Sequence, residues 1–332
     1  MEYLDEIVFF IYLHFAICPL DMNNKTMLLI DNNNHTDPAI NLALEEHGYR
    51  NLDPRHEYVM IYINRPSIII GNHQCPFQEM DMDLAAQRQI RPIRRISGGG
   101  AVYHDMGNLN FSFITAFGEK KLDYFKELLQ PVIETLKRLG VPARITGKNN
   151  IVVNNHKVSG NSQHANMRRM LSHGTLLFDA DLETLRRVLQ TNLAIIQSRA
   201  IASIPSSVTN ISDYLSDPID MDAFIAELIL SLSQKFGELS DYRLPASDWD
   251  KVYRLADDKY RSWSWNIGRS PEFTVSHKIK INKVEDDVHL RVKHAIIRDV
   301  QIAGIPPESK AASPRHASLI GRRYDPLRLN LR

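Results

Sequence analysis

Between Arg94 and Asp105 the chain reads Arg-Arg-Ile-Ser-Gly-Gly-Gly-Ala-Val-Tyr-His-Asp, and this stretch restricts the fold more than any other. An alternating apolar and basic run ends at two arginines, three glycines follow, and a second strand-like run begins at Ala101. Three successive residues without Cβ let main-chain N–H groups approach a ligand closely and form an anion-accepting concavity. Arginines beside such a loop supply permanently ionised donors whose shape matches phosphate or carboxylate. The same letters also describe a tight hairpin turn with two solvated arginines. Strands expected over residues 91–96 and 101–104, together with the arginine pair, point instead to a binding loop.

Composition limits what the loop serves. A chain of 332 residues has room for one large domain and a smaller one. Its formal charge of +1 sets up no global field toward nucleic acid or anionic membrane, so anion recognition must be local. Cys18 and Cys75 are the only cysteines. Two cysteines exclude a disulfide framework and a cysteine-held zinc, and a reducing cytoplasm is the expected compartment. Residues 7–20 are nearly all apolar, yet shorter than the ~20 residues a membrane-spanning helix needs. Glu2, Asp5 and Glu6 stand where a signal peptide carries positive charge, and no small-residue cleavage site follows. Because Met27 opens a convincing strand, residues 1–26 are expected to be an N-terminal extension outside the core; a loosely docked helix is the alternative.

Strands are expected at 27–30, 57–63, 67–70 and 109–115, where Val, Ile, Phe and Tyr concentrate or alternate with polar residues. Asp37-Pro38 is a helix start, carrying a helix to Glu46. Leu122, Phe125, Leu128, Leu129, Val132, Ile133, Leu136 and Leu139 recur at helical spacing, with Pro131 as a kink or a break. Asn154-Asn155 between residues 151–153 and 156–159 is a hairpin signal, because Asn tolerates the positive φ of a tight turn. Further strands are expected at 168–171 and 175–178, helices at 181–189, 221–236 and 247–260, then strands at 273–275, 278–281, 288–292 and 295–302. Hairpins, then helices, then more hairpins predict an α+β fold with mixed and antiparallel sheets and flanking helices. The expected division is 27–245 as a catalytic domain and 246–332 as a small α+β accessory domain.

Four polar groups recur beside these elements: the Arg/Gly loop, Gly71-Asn72-His73-Gln74, Gly147-Lys148-Asn149-Asn150, and Lys157-Val158-Ser159-Gly160 with Ser172-His173-Gly174-Thr175 beyond it. Each alone is weak, and periodicity does not bring them together. Their combination and order resemble the lipoate–protein ligase A family, whose catalytic domain is of the biotin/lipoate ligase-like type. The resemblance runs from about Met27 onward. It is most specific in residues 94–110, in Lys157-Val-Ser-Gly and in Ser-His-Gly-Thr-Leu-Leu. The Trp263-Ser-Trp265-Asn-Ile-Gly-Arg-Ser-Pro segment is similar to that family's junction with its accessory domain.

The resemblance implies an enzyme that activates lipoate with ATP to lipoyl-AMP and transfers the lipoyl group to a lysine of an apo lipoyl domain. The acceptors implied are E2 subunits of 2-oxoacid dehydrogenases and the glycine-cleavage H protein. It also implies Mg²⁺. Arg95 with the backbone of Gly100, Ala101, Val102 and Tyr103 is implied as the ATP-contacting loop, with Ser97, Gly98, Gly99, Asn149 and His173 as further site residues. Lys157 is implied as the catalytic residue, between the lipoate carboxylate and the α-phosphate. The family pattern has Asp where this chain has Asn150, so a metal role for Asn150 is weakened, since Mg²⁺ prefers carboxylate oxygens. The accessory domain also reads as shorter than the family pattern. Two rival functions follow from the same residues. One is an ATP-independent lipoyl or octanoyl transferase of the same fold, which needs a cysteine nucleophile and finds only Cys75 in the body of the chain. The other is a non-catalytic lipoate-binding protein.

Overall fold

The computed structural model describes residues 27–117, 124–147, 150–190, 196–281, 284–302 and 317–326. Leu122, Asn149 and the extension 1–26 lie outside them. The strands, in chain order, are β1 (Met27–Ile30), β2 (Glu57–Ile63), β3 (Ser67–Ile70), β4 (Arg91–Arg94), β5 (Val102–His104), β6 (Asn108–Ala116), β7 (Ala143–Thr146), β8 (Asn150–Val153), β9 (His156–Ala165), β10 (Arg169–Leu177), β11 (Ile196–Ser198), β12 (Ser240–Tyr242), β13 (Phe273–Ile281), β14 (Val284–Lys293) and β15 (Ile296–Ile302). They form an eight-stranded sheet in the order β12-β1-β2-β6-β10-β9-β8-β7, a three-stranded sheet β4-β3-β5, and a four-stranded C-terminal sheet β11-β13-β14-β15. Pairs β12–β1, β1–β2 and β3–β4 are parallel and the other pairs are antiparallel. The fold is α+β with mixed sheets.

Period-two alternation explains how the large sheet is covered. Val59 of β2 and Leu109, Phe111 and Phe113 of β6 point to one face, under the helices Tyr124–Arg138 and Met221–Phe236. Tyr58, Met60, Tyr62 and Ile114 point to the other, under the helix Pro38–Asn51. That helix starts as expected: Pro38 is its first residue, and the Asp37 carboxylate accepts from the Ala39 N–H at 3.0 Å. It is buried from Pro38 to Tyr49, which takes two carboxylates out of water. Glu45 and Glu46 are both 3% exposed, and both are partnered. Glu46 accepts from the Tyr260 hydroxyl at 2.7 Å and from Lys259 at 2.6 Å.

Several expectations need correcting. The alternative of a tight hairpin at the triple glycine does not hold: β3 lies between β4 and β5 and pairs with both. The runs 168–171 and 175–178 are one continuous strand, β10, because β6 and β9 pair with it on either side and carry it through Ser172-His173-Gly174. The runs at 273–275 and 278–281 likewise merge into β13. The helix expected over 247–260 is an α-helix, Ala246–Leu255, continued by one π-helical stretch, Ala256–Tyr260. Pro131 does not break the helix Tyr124–Arg138. Short strands β7, β11 and β12 lacked a hydrophobic alternation that would have marked them. Trp249, Val252 and Tyr260, past residue 245, pack in the same core as the helix Pro38–Asn51.

Candidate active site

Two cavities, of about 340 and 460 Å³, meet along the polar side of β9 and β10. Ala101, Val102, Lys157, Gly160, Thr175 and Ser203 line both, so they form one cleft with two chambers. Leu42, Tyr62, Ile69, His104, Asn110 and His173 surround the inner part of the first chamber; none is more than 7% exposed. Leu177, Leu185, Leu189 and Val208 give the second chamber an apolar wall, with Arg186 and Gln78 at its edge.

Lys157 stands at the junction. It follows the Asn154-Asn155 turn, whose φ angles of 47° and 68° are those the sequence predicts for a tight hairpin. Its main chain is held by the segment beyond β11: Lys157 N–H donates to Ser207 O at 2.8 Å, and Thr209 N–H donates to Lys157 O at 3.3 Å. The side chain lies across Gly160, where an added Cβ would come within 3.1 Å of both Cε and Nζ. Half-buried, it forms no ion pair among the described residues. Burial, and then the nearby Arg95 charge, lower its pKa below the ordinary lysine value. A partly desolvated cation without a counter-charge is a site for an anion.

The glycine loop is held by the two arginines in different ways. Arg95 is 6% exposed. Its guanidinium donates to Ile69 O at 3.0 Å, Ser97 Oγ at 3.0 Å, Gly100 O at 2.8 Å and Gly98 O. Three of its five N–H groups are thus spent on the loop and a fourth on β3, and burial pushes its pKa down to about 10. Arg94 is fully buried and faces away, donating to the carbonyls of Gly71, Asn72, Gln74, Trp265 and Asn266. Gly71 touches the loop from below: a Cβ there would lie 2.1 Å from Gly99 O, so this approach admits only glycine.

A buried relay backs the first chamber. The His173 ring nitrogen Nδ1 lies 3.0 Å from Glu45 Oε2, and Nε2 lies 2.6 Å from Ser97 Oγ. With Nδ1–H donating to the carboxylate, Nε2 accepts from the Ser97 hydroxyl, which in turn accepts from Arg95 Nε. The arrangement has the form of a serine–histidine–acid triad. Ser97 is fully buried, however, and lines neither chamber, so it orients His173 and the loop rather than meeting a substrate.

Of the residues expected from sequence, Gly99, Gly100, Ala101, Val102, Arg95, Asn150, Lys157 and His173 line the first chamber, and Tyr103 lines the second. Gly98 contributes its carbonyl, which accepts from Arg95 and from Ser162 Oγ. Asn149 lies outside the described residues. The Ala101 amide does not face open space: it donates to Ser203 Oγ at 2.8 Å. Ser203 in turn hydrogen-bonds the Glu79 carboxylate, whose pKa burial raises. Ser203, Glu79, Glu45 and Tyr62 had no sequence signal, since their partners lie far away along the chain, and His104 stood inside the recognised motif without a role. Cys75 is fully buried and lines neither chamber, and burial pushes its thiol up to about 12. No group of three or more His, Cys, Asp or Glu side chains among the described residues can hold a metal ion. Asn150 offers the first chamber only a neutral carbonyl where the family pattern has a carboxylate.

The family profile "Lipoyl protein ligase A/B catalytic domain" matches residues 37–233. Lipoate-protein ligase LplJ of Bacillus subtilis is 40% identical over 301 residues, covering 90% of this chain and 91% of its own. Protein Ta0514 of T. acidophilum, solved with bound lipoic acid, superposes with a TM-score of 0.63 at 25% identity, covering 74% of this chain and 99% of its own. A bi-partite lipoate protein ligase from Thermoplasma acidophilum, studied with its E2 lipoyl domain, gives the same score and identity over 74% of this chain and 96% of its own. A lipoate-protein ligase A bound with ATP gives 0.62 at 25% identity over 74% and 99%. Loop, lysine and two-chambered cleft stand within the matched region, and the chain belongs to the lipoyl protein ligase A/B catalytic-domain family.

Proposed function

We propose that this protein is an ATP-dependent lipoate–protein ligase. The observation that carries this reading is Lys157, a half-buried ammonium without a carboxylate partner among the described residues, at the boundary of two joined chambers. The first chamber takes the lipoyl chain and the second the nucleotide. The carboxylate oxygen of lipoate attacks the α-phosphorus, pyrophosphate leaves, and the mixed anhydride lipoyl-AMP remains. The amine of an acceptor lysine then attacks its acyl carbon and AMP departs, so this chain need supply no nucleophile. Lys157 lowers the repulsion between two anions that must touch, and it stabilises the charge that builds on the equatorial oxygens. In a desolvated site such an interaction lowers the barrier by about 3–4 kcal/mol.

Site roles follow the same geometry. Gly99, Gly100, Ala101, Val102 and Tyr103 present main chain at the shared wall, and Arg95 acts by clamping that wall. Mg²⁺ is expected to arrive on the nucleotide phosphates, and no step here is assigned to it. The acceptors are apo lipoyl domains such as E2 subunits and H protein. Every residue lining the cleft falls between Leu42 and Val208, which supports residues 27–245 as the catalytic part and 246–332 as accessory. Among the described residues no helix is long and apolar enough to cross a membrane, and a cytoplasmic location stays a proposal.

Purified protein mixed with ATP, Mg²⁺, lipoate and an apo lipoyl domain tests the reading. Pyrophosphate release that requires lipoate, followed by lipoylation of the acceptor, is the expected result. Lipoyl transfer from a lipoylated donor without ATP would replace it by the transferase reading, and binding without turnover by the non-catalytic one.

A further inference from the structure

Four polar side chains look into the inner end of the first chamber: Tyr62, His104, Asn110 and His173. Three are committed elsewhere. The Tyr62 hydroxyl donates to Glu45 at 3.0 Å, and Asn110 Nδ2 donates to Tyr62 O at 3.3 Å. His173 is engaged at both ring nitrogens. His104 differs. It is 5% exposed, and its Nδ1 lies 3.0 Å from Asn64 Nδ2.

The direction of that bond is set from outside the chamber. The His35 carbonyl can only accept, so Asn41 presents its Nδ2 to it, at 2.8 Å. The same nitrogen donates to Asn64 Oδ1 at 2.9 Å. Asn64 is therefore turned with Nδ2 toward His104, and Nδ1 must accept. Burial, with the Arg95 charge, pushes the His104 pKa down to about 3, so the ring is neutral and its one proton sits on Nε2. The bond from Asn64 is the one hydrogen bond of the His104 side chain among the described residues, which leaves the Nε2–H to the chamber that the residue lines.

We propose that His104 Nε2–H is a specificity-determining donor that meets a sulfur of the dithiolane ring and selects lipoate over octanoate. The inference rests on reading this chamber as the acyl site. A saturated methyl terminus leaves the buried donor desolvated and unpaired, and a site built around a donor rejects the analogue that lacks the acceptor. Asn64 and Asn41 are positioning residues, acting through the tautomer of His104.

The test compares kcat/KM for adenylation of lipoate, octanoate and 5-cyclopentylpentanoic acid, whose carbocycle has the shape of the dithiolane without its sulfurs. Wild-type protein should favour lipoate over the cyclopentyl acid about five- to thirtyfold. His104→Leu should bring the two within about twofold, and Asn64→Asp should do the same by moving the ring proton to Nδ1. Equal use of lipoate and the cyclopentyl acid by the wild type overturns the proposal without recourse to any variant. So does an unchanged ratio in a folded His104→Leu protein. Failure to adenylate all three acids overturns the ligase reading itself, and the proposal with it.

Discussion

Replacing Arg94 by alanine would remove five hydrogen bonds at once. The guanidinium joins the Gly71–Gln74 turn to the carbonyls of Trp265 and Asn266, and it does so fully buried, with acceptors that are all main-chain oxygens. Two of the acceptors, Asn72 O and Trp265 O, are partly exposed in these bonds and can be rehydrated. Gly71 O keeps the Gln74 N–H at 3.1 Å, whereas Gln74 O and Asn266 O are buried and are left without a donor. At about 1–3 kcal/mol for each unsatisfied group, two carbonyls cost about 2–6 kcal/mol. Relief from desolvating the cation, whose pKa burial pushes down to about 10, offsets part of this. The net loss should be about 2–4 kcal/mol, the cost of two orphaned carbonyls less that relief. Urea denaturation followed by tryptophan fluorescence reads it, since Trp265 Nε1 donates to Arg94 O at 2.7 Å and reports on the same junction. Arg94→Lys should recover less than half, because an ammonium cannot reproduce the planar fork. A stability within about 0.5 kcal/mol of wild type for Arg94→Ala would refute the reasoning.

Ser203→Ala frees the Ala101 amide for an anion and should lower KM for ATP about two- to tenfold, the range expected from one neutral hydrogen bond; a rise in KM would contradict it. Cys75→Ala should leave ATP-dependent lipoylation unchanged apart from stability, because the thiol is buried and held in its protonated form by a pKa near 12. Loss of turnover in a folded Cys75→Ala protein would revive the transferase reading. His104 also makes stability depend on pH. Between its folded pKa of about 3 and the unfolded 6.5, the unfolded chain binds a proton that the native ring refuses. Stability from this residue is therefore complete above pH 6.5 and falls by about 1.4 kcal/mol per pH unit below it, a slope that His104→Leu should remove from denaturation series at pH 7.5 and 5.0.

Elements specified by their own letters were legible in the sequence. Met27–Ile30, Glu57–Ile63 and Met221–Phe236 match their hydrophobic patterns, and Asn154-Asn155 makes the turn that its tolerance of positive φ allows. Where neighbours decide, local reading fell short. Ser172-His173-Gly174 looks like a break, yet it is strand because β6 and β9 flank it. The triple glycine also reads as a tight hairpin, yet β3 enters between its flanking strands. The site shows the same division. Lys157, His173 and the loop were found through the order of their motifs, although nothing local says that they line one cleft. Glu45 carried no signal, being one acid on a helix whose burial only the finished fold reveals. Arg95 was read as a ligand contact from its charge; the structure spends most of its N–H groups on holding the loop.

Single-turnover formation of lipoyl-adenylate, measured in wild-type protein and in Lys157→Ala without any acceptor, addresses the central claim most directly. Among the described residues Lys157 makes no side-chain bond that the fold depends on, so the variant should unfold at the wild-type urea concentration. Its rate of adenylate formation should fall at least a hundredfold, as loss of about 3–4 kcal/mol of transition-state stabilisation requires. A folded Lys157→Ala protein that forms lipoyl-adenylate within threefold of the wild-type rate would contradict the account.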